Sequence, residues 1–179
     1  MDRKDYLLLS GTLFAAVALI AIGAKKGKKN QQANNNGGTD MYDKTNWPRG
    51  YRNNNPLNIR ISNSQWQGEV ANNTDGVFEQ FVTMEYGYRA ALKLIQNYIN
   101  LYGLNTVAKI IGRWAPDNEN DTKRYISTVC AQNNWSANKV IDPNNMQDMA
   151  DLVYAMAIVE NGYSILPNYT EIYKGWSML

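Results

Sequence analysis

The chain has 179 residues, a formal net charge of +2, no histidine and one cysteine, Cys130. These absences exclude intramolecular disulfides, His-rich zinc sites, Ser-His-Asp triads and Cys-His nucleophile pairs, so any catalysis must rest on carboxylates, Lys, Tyr or hydroxyls. Charge divides unevenly: residues 1–40 carry 6 Lys+Arg and 3 Asp+Glu, leaving 12 against 13 in residues 41–179. A near-neutral domain lacks the basic field that supplies most nucleic-acid affinity, and no nucleic-acid partner is expected.

Taken in order, the chain opens on an apolar stretch, Tyr6 to Ala24, with no charge over 19 positions. That length is close to the roughly 20 residues that span a ~30 Å hydrocarbon core, so residues 1–24 are expected to form a single-pass transmembrane anchor. Lys25, Lys26, Lys28 and Lys29 follow directly, and a cleaved signal peptide fits the flanks less well because its leading segment would carry no net charge. Residues 25–48 are polar and rich in Gly, Asn and Gln, which predicts a flexible tether. Residues 49–179 remain for one mainly α soluble domain.

Gly50 to Gly76 is dense in Asn, Gly and Pro with short apolar pieces, which predicts loops and a small hairpin. Thr83 is suited to cap a helix running to about Tyr102, with Leu92, Ile95 and Ile99 at helical spacing and Gly103 just past its end. A second helix is predicted from Asn105 to near Ala115, where Pro116 disfavours helical geometry in the residue before it. A third begins near Asp121 and places Tyr125, Val129 and Cys130 on one face. The last clear helix starts near Asn145, buries Met149, Leu152, Val153, Met156 and Val159, and ends at Gly162, a residue suited to a left-handed cap.

Glu160 stands out among the carboxylates. It closes an otherwise apolar helix at the end where the macrodipole disfavours a second negative charge, so its pKa should rise. A carboxyl of raised pKa can protonate a glycosidic oxygen near neutral pH. Glu79 and Asp75 lie in the segment before the first long helix, where either could orient water or substrate. Glu85 sits in a helix first turn, where capping is the ordinary role, and Glu119 lies in an acidic interhelical segment where capping competes with a functional role. The five tryptophans suit stacking on sugar rings, although most should be core. The abundant asparagines extend into the tether and carry little weight.

Several strings in order, from Arg52-Asn53-Asn54-Asn55-Pro56-Leu57-Asn58-Ile59-Arg60 through Trp66-Gln67-Gly68, Phe81, Gly87-Tyr88-Arg89-Ala90 and Arg113-Trp114-Ala115-Pro116 to Glu119-Asn120-Asp121-Thr122, resemble a phage family of virion-associated, lysozyme-like proteins. The resemblance covers roughly Gly50 to Gly162 and includes the Glu160-Asn161-Gly162 helix ending. A weaker similarity is to flagellar-type glucosaminidases, in which an acidic helix comes first. Here the corresponding helix comes last, which a circularly permuted lysozyme-like fold reconciles.

The resemblance implies a muralytic enzyme, a lytic transglycosylase or glycosidase acting on peptidoglycan, which the apolar segment outside the resemblance would anchor in the virion membrane or host envelope. Glu160 would be the acid and Glu79 would fall in the region of the second carboxylate. Asn55, Asn58, Arg60, Trp66, Trp114 and Glu119 would contact glycan. The alternative is a non-catalytic virion protein that keeps a lysozyme-like scaffold. Peptidoglycan, a lipid bilayer and neighbouring capsid proteins are the expected partners, and no cofactor or metal is called for.

Overall fold

The computed structural model describes residues 44–118 and 120–179. The expected anchor at residues 1–24, most of the tether, and Glu119 lie outside the described residues. Among the described residues, no helix is long and apolar enough to cross a membrane.

The described residues form six helices: α1 (Arg49–Arg52), α2 (Met84–Tyr102), α3 (Val107–Trp114), α4 (Thr122–Asn133), α5 (Met146–Asn161) and α6 (Tyr169–Ser177). The described part is therefore mainly α, with β pairing confined to isolated antiparallel bridges, Arg60 to Phe78, Glu69 to Phe81 and Thr106 to Val140. The expected hairpin survives only as the first two of these. A Gly- and Asn-rich segment supplies too few residues that fit a half-buried pleated surface to extend the ladder.

Side-chain caps set most helix starts. Thr106, Asp121, Asn145 and Asn168 each accept a backbone N–H from the first turn of α3, α4, α5 and α6 respectively. The α3 cap is thus Thr106 rather than Asn105. Helix α2 ends on Gly103 in the left-handed region (φ 66°, ψ 21°). Gly162 differs from its expected left-handed cap: at φ 75°, ψ −170° it turns the chain sharply away from α5, in a region open essentially to glycine alone. Helices α1 and α6 were not anticipated. The first is a single turn behind Pro48, and the second buries only Ile172 and Gly175 within its own length.

The core runs along α2, with Leu92, Leu94, Ile95 and Tyr98 buried against Ile110 and Ile111 of α3 and Met149, Leu152, Val153 and Met156 of α5. Helix α6 packs along α2, and α4 along α5. Leu57 and Ile59 carry the loop after α1 into the same core, both with no exposed surface. This burial matters for function because it clamps the loop residue between them, Asn58, against the C-terminal turn of α5.

Candidate functional site

Glu160 lies in the last turn of α5 and keeps partial exposure. Its carboxylate is held by three side chains from three other parts of the chain. Asn58 donates from Nδ2 to Oε2 at 3.1 Å, while Trp114 donates from Nε1 at 3.2 Å and Tyr125 from its hydroxyl at 3.0 Å, both to Oε1. All three donors are neutral. Burial pushes the carboxyl up from an ordinary 4.5 to about 7, and the three donors, which favour the charged form, only partly oppose it. Burial, then the adjoining Glu160, drives the Tyr125 hydroxyl well above its usual range, so it stays a donor.

The loop that supplies Asn58 is fixed by asparagines. Asn55 has no exposed surface; it donates to the carbonyls of Ile59 and Glu79 at 2.8 and 2.9 Å and accepts the Ile59 N–H at 2.9 Å. Asn54 and Asn58 both adopt positive φ, at 50°, a region that asparagine enters more readily than most residues. Asn161, next to Glu160, donates to the carbonyls of Pro56 and Ala157 at 2.7 and 2.9 Å. Gly50 of α1 fits into this joint: a Cβ there would lie 2.4 Å from Asn161 Oδ1, 2.9 Å from the Asn55 carbonyl and 3.0 Å from Asn58 Oδ1. Both side-chain oxygens are buried without a hydrogen-bond partner. The bare glycine Cα–H is thus the group they face, a weak polar contact that no larger residue could preserve.

Glu79 sits 17 residues after Ser62, whose N–H it accepts at 3.3 Å, and it is 1% exposed. Burial, followed by repulsion from Glu69, raises its carboxyl to about 7, against the Ser62 N–H. A carboxyl so enclosed does not reach a bound molecule from its present place. Asn55 and Trp114 likewise depart from the expected glycan-lining role. Asn55 spends its amide inside the loop, and Trp114, 1% exposed, packs edge-to-face with Tyr98 at a 6.3 Å centroid separation and gives its N–H to Glu160.

Asn58 and Arg60 keep partial exposure, with the Arg60 guanidinium 5.9 Å from the Phe78 ring centre. Trp66 is partly buried against the core, and its ring N–H is buried without a partner. Asp75 is an ion-pair partner rather than a poised acid. Burial opposes its ionisation, but Arg49, Asn53 and the N–H groups of Phe78 and Val77 hold its carboxyl well below the usual range. Sequence reasoning missed Tyr125 as a partner of Glu160. Its only signal was an aromatic residue on the apolar face of α4, which is the signature of any core residue. Among the described residues, no group of three or more His, Cys, Asp or Glu is placed to hold a metal ion.

Fold and site together define a small helical domain organised around a half-buried, neutrally hydrogen-bonded carboxyl at a helix end, an arrangement able to hold or transfer one proton near neutral pH. No family model matches the sequence. The chain is similar to protein P5 of Pseudoalteromonas phage PM2, with 42% identity over 136 residues, covering 72% of this chain and 79% of that protein. It belongs to the family of this bacteriophage protein.

Proposed function

We propose that the protein is a virion component of a phage, and that its helical domain is a circularly permuted lysozyme-like scaffold that binds the glycan of bacterial cell walls at the Glu160 site. Membership in a family with a phage protein is the observation that carries this reading. Residues 1–24 would hold the chain in a bilayer and residues 25–48 would tether the domain to it. The partly exposed Glu160 carboxyl, steadied by Asn58, and the partly exposed Arg60 guanidinium of the same loop would serve sugar hydroxyl and acetamido groups.

A second reading, cleavage of the glycan, is favoured by one specific feature, the Glu160 carboxyl at about 7 in a partly exposed place. Protonated Glu160 would give its proton to the glycosidic oxygen as the C1–O bond breaks. With Glu79 enclosed, no second carboxylate is supplied from that position, so a hydroxyl of the same sugar would attack C1 and return its proton to Glu160, leaving an anhydro product.

The test is to incubate the protein with purified peptidoglycan sacculi, and to measure both cosedimentation and released muropeptides for the native chain and Glu160→Gln. Retention on sacculi without release is the expected result of the scaffold reading. Anhydro products that vanish in Glu160→Gln would establish cleavage. Neither binding nor release would overturn both readings.

A further inference from the structure

A wide-open polar depression borders α1. Its volume is about 510 Å³, and it is lined by Arg49, Arg52, Asn53, Thr74, Asp75 and Gln80. That volume is within the range of small-ligand sites. The lining contains no apolar residue and no aromatic face, so it suits neither a flat ring nor an acyl chain.

Its floor is already organised. Asn53, only 5% exposed, donates from Nδ2 to Asp75 at 2.7 Å and accepts from Gln80 Nε2 at 3.1 Å. Gln80 Oε1 in turn accepts from the Thr74 N–H at 2.7 Å and the Thr74 hydroxyl at 3.2 Å. Each amide is therefore locked in one orientation before any ligand arrives, which lowers the ordering cost of binding.

The charge balance favours an anion. Asp75 is spent inward, on Arg49 at 2.5 and 2.7 Å, on Asn53, and on the N–H groups of Val77 and Phe78 at 3.2 and 2.9 Å. The Arg49–Asp75 pair cancels to neutrality, which leaves the exposed guanidinium of Arg52 in excess. Arg49 is steadied by the Phe78 ring, 4.5 Å from its guanidinium carbon, and uses two of its five N–H donors on Asp75. Arg49 and Arg52, three residues apart on α1, lie on neighbouring positions of one face. A guanidinium fork matches a planar carboxylate through two parallel bonds.

We infer that this cavity is a subsite for a carboxylate-bearing sugar, with the acid group on Arg52 and the free donors of Arg49, and the sugar hydroxyls on Thr74 and Gln80. The inference deepens the glycan-binding reading and rests on it. It names the class of glycan that the domain selects. Such a sugar occurs in walls as muramic acid in strands freed of their peptide stems, where the lactyl carboxyl is ionised, and in surface polysaccharides as a uronic acid.

The test uses the full chain in detergent micelles and ligand-observed NMR, with N-acetylmuramic acid, glucuronic acid, N-acetylglucosamine and inorganic phosphate as probes. The carboxylated sugars should bind, with N-acetylglucosamine at least about tenfold weaker, and Arg52→Gln should weaken them by about tenfold to a hundredfold. Arg52 is exposed and so dispensable for folding, and Arg52→Lys should restore part of the affinity. Preference for N-acetylmuramic acid would point to wall strands freed of peptide and preference for glucuronic acid to surface polysaccharide; either supports the subsite. Equal binding of N-acetylglucosamine, phosphate binding as tightly as the sugars, or indifference to Arg52→Gln would overturn it.

The two readings fail separately. Neutral chito-oligosaccharide binding that is lost in Glu160→Gln but kept in Arg52→Gln, without any acidic-sugar binding, would leave the Glu160 site standing and remove this one. Acidic-sugar binding without retention on sacculi would do the reverse.

Discussion

Raising the pH should weaken this fold through Glu160 and Glu79, the opposite of the usual carboxylate effect. Each folded-state value is about 7 against an ordinary 4.5. A carboxyl with a raised folded-state pKa contributes stability that is fully present below about 4.5 and lost as pH climbs through about 7. At 1.36 kcal/mol per pH unit, the loss is on the order of 3 kcal/mol for each group, and the partial exposure of Glu160 reduces its share to roughly 1–2 kcal/mol. Asp75 sets the acid limb with the other sign. Its contribution is present above its ordinary 3.8 and disappears as pH falls through its depressed folded value. For these three groups maximum stability should therefore lie near pH 4, above the ordinary 3.8 of Asp75 and below the ordinary 4.5 of the two glutamates, and decline from there to about pH 7. Urea unfolding of the native chain and Glu160→Gln at pH 5 and pH 8.5 measures this directly. In the variant, the glutamine carbonyl can keep Trp114 and Tyr125, and the Asn58 amide can turn to offer Oδ1, which has no partner now. The variant should be the more stable protein at pH 8.5 and should lose its advantage at pH 5. Native stability that rises between those two pH values, or a variant with the native pH slope, would refute the argument.

Three further outcomes are expected. Gly50→Ala should cost about 1–3 kcal/mol, because the new methyl would meet the Asn161, Asn55 and Asn58 oxygens at 2.4–3.0 Å and one of these is backbone; thermal unfolding reads the loss. Asn55→Ala strands the Glu79 carbonyl and the Ile59 N–H in a fully buried place and leaves the Ile59 carbonyl with the Glu79 N–H alone, so a destabilisation of about 2–3 kcal/mol is expected in denaturant titration. Tyr125→Phe removes a donor that favours ionised Glu160, so the carboxyl should titrate at higher pH than in the native chain, as followed by the carbon chemical shift of a labelled glutamate.

The long helices were legible because their apolar spacing and end signals coincide. Leu92, Ile95 and Ile99 with Gly103 mark α2, and Asn145 with Met149, Leu152, Val153 and Met156 marks α5. Helix α6 was not, since its contribution is a seat along α2 that depends on Ile172 and Gly175 rather than on a long stripe. The site divides in the same way. The end position of Glu160 is visible in the sequence, but its donors stand 102, 46 and 35 residues away, at Asn58, Trp114 and Tyr125, and only the packing of the loop, α3 and α4 against α5 joins them. The asparagines given little weight as composition turned out to be the ties of the loop. Their value lies in which carbonyl or N–H each one meets, and that is a property of the fold rather than of frequency.

Two carboxylates of this one domain show what the choice of partner decides. Asp75 and Glu160 are both drawn out of water, and both accept several hydrogen bonds. Asp75 has a guanidinium among its donors and is held ionised far below neutrality. Glu160 has an amide, an indole and a phenol, none of which brings a full positive charge to offset desolvation, and its proton is held until about pH 7. Hydrogen bonds alone orient a carboxyl, whereas a cation also fixes its charge. The absence of a cation from the three donors at the end of α5 is thus what distinguishes a proton-exchanging site from a structural ion pair. The same logic separates the surroundings of the two carboxyls: one neutralised by arginine stays ionised, and one held by neutral donors needs no counter-ion at all.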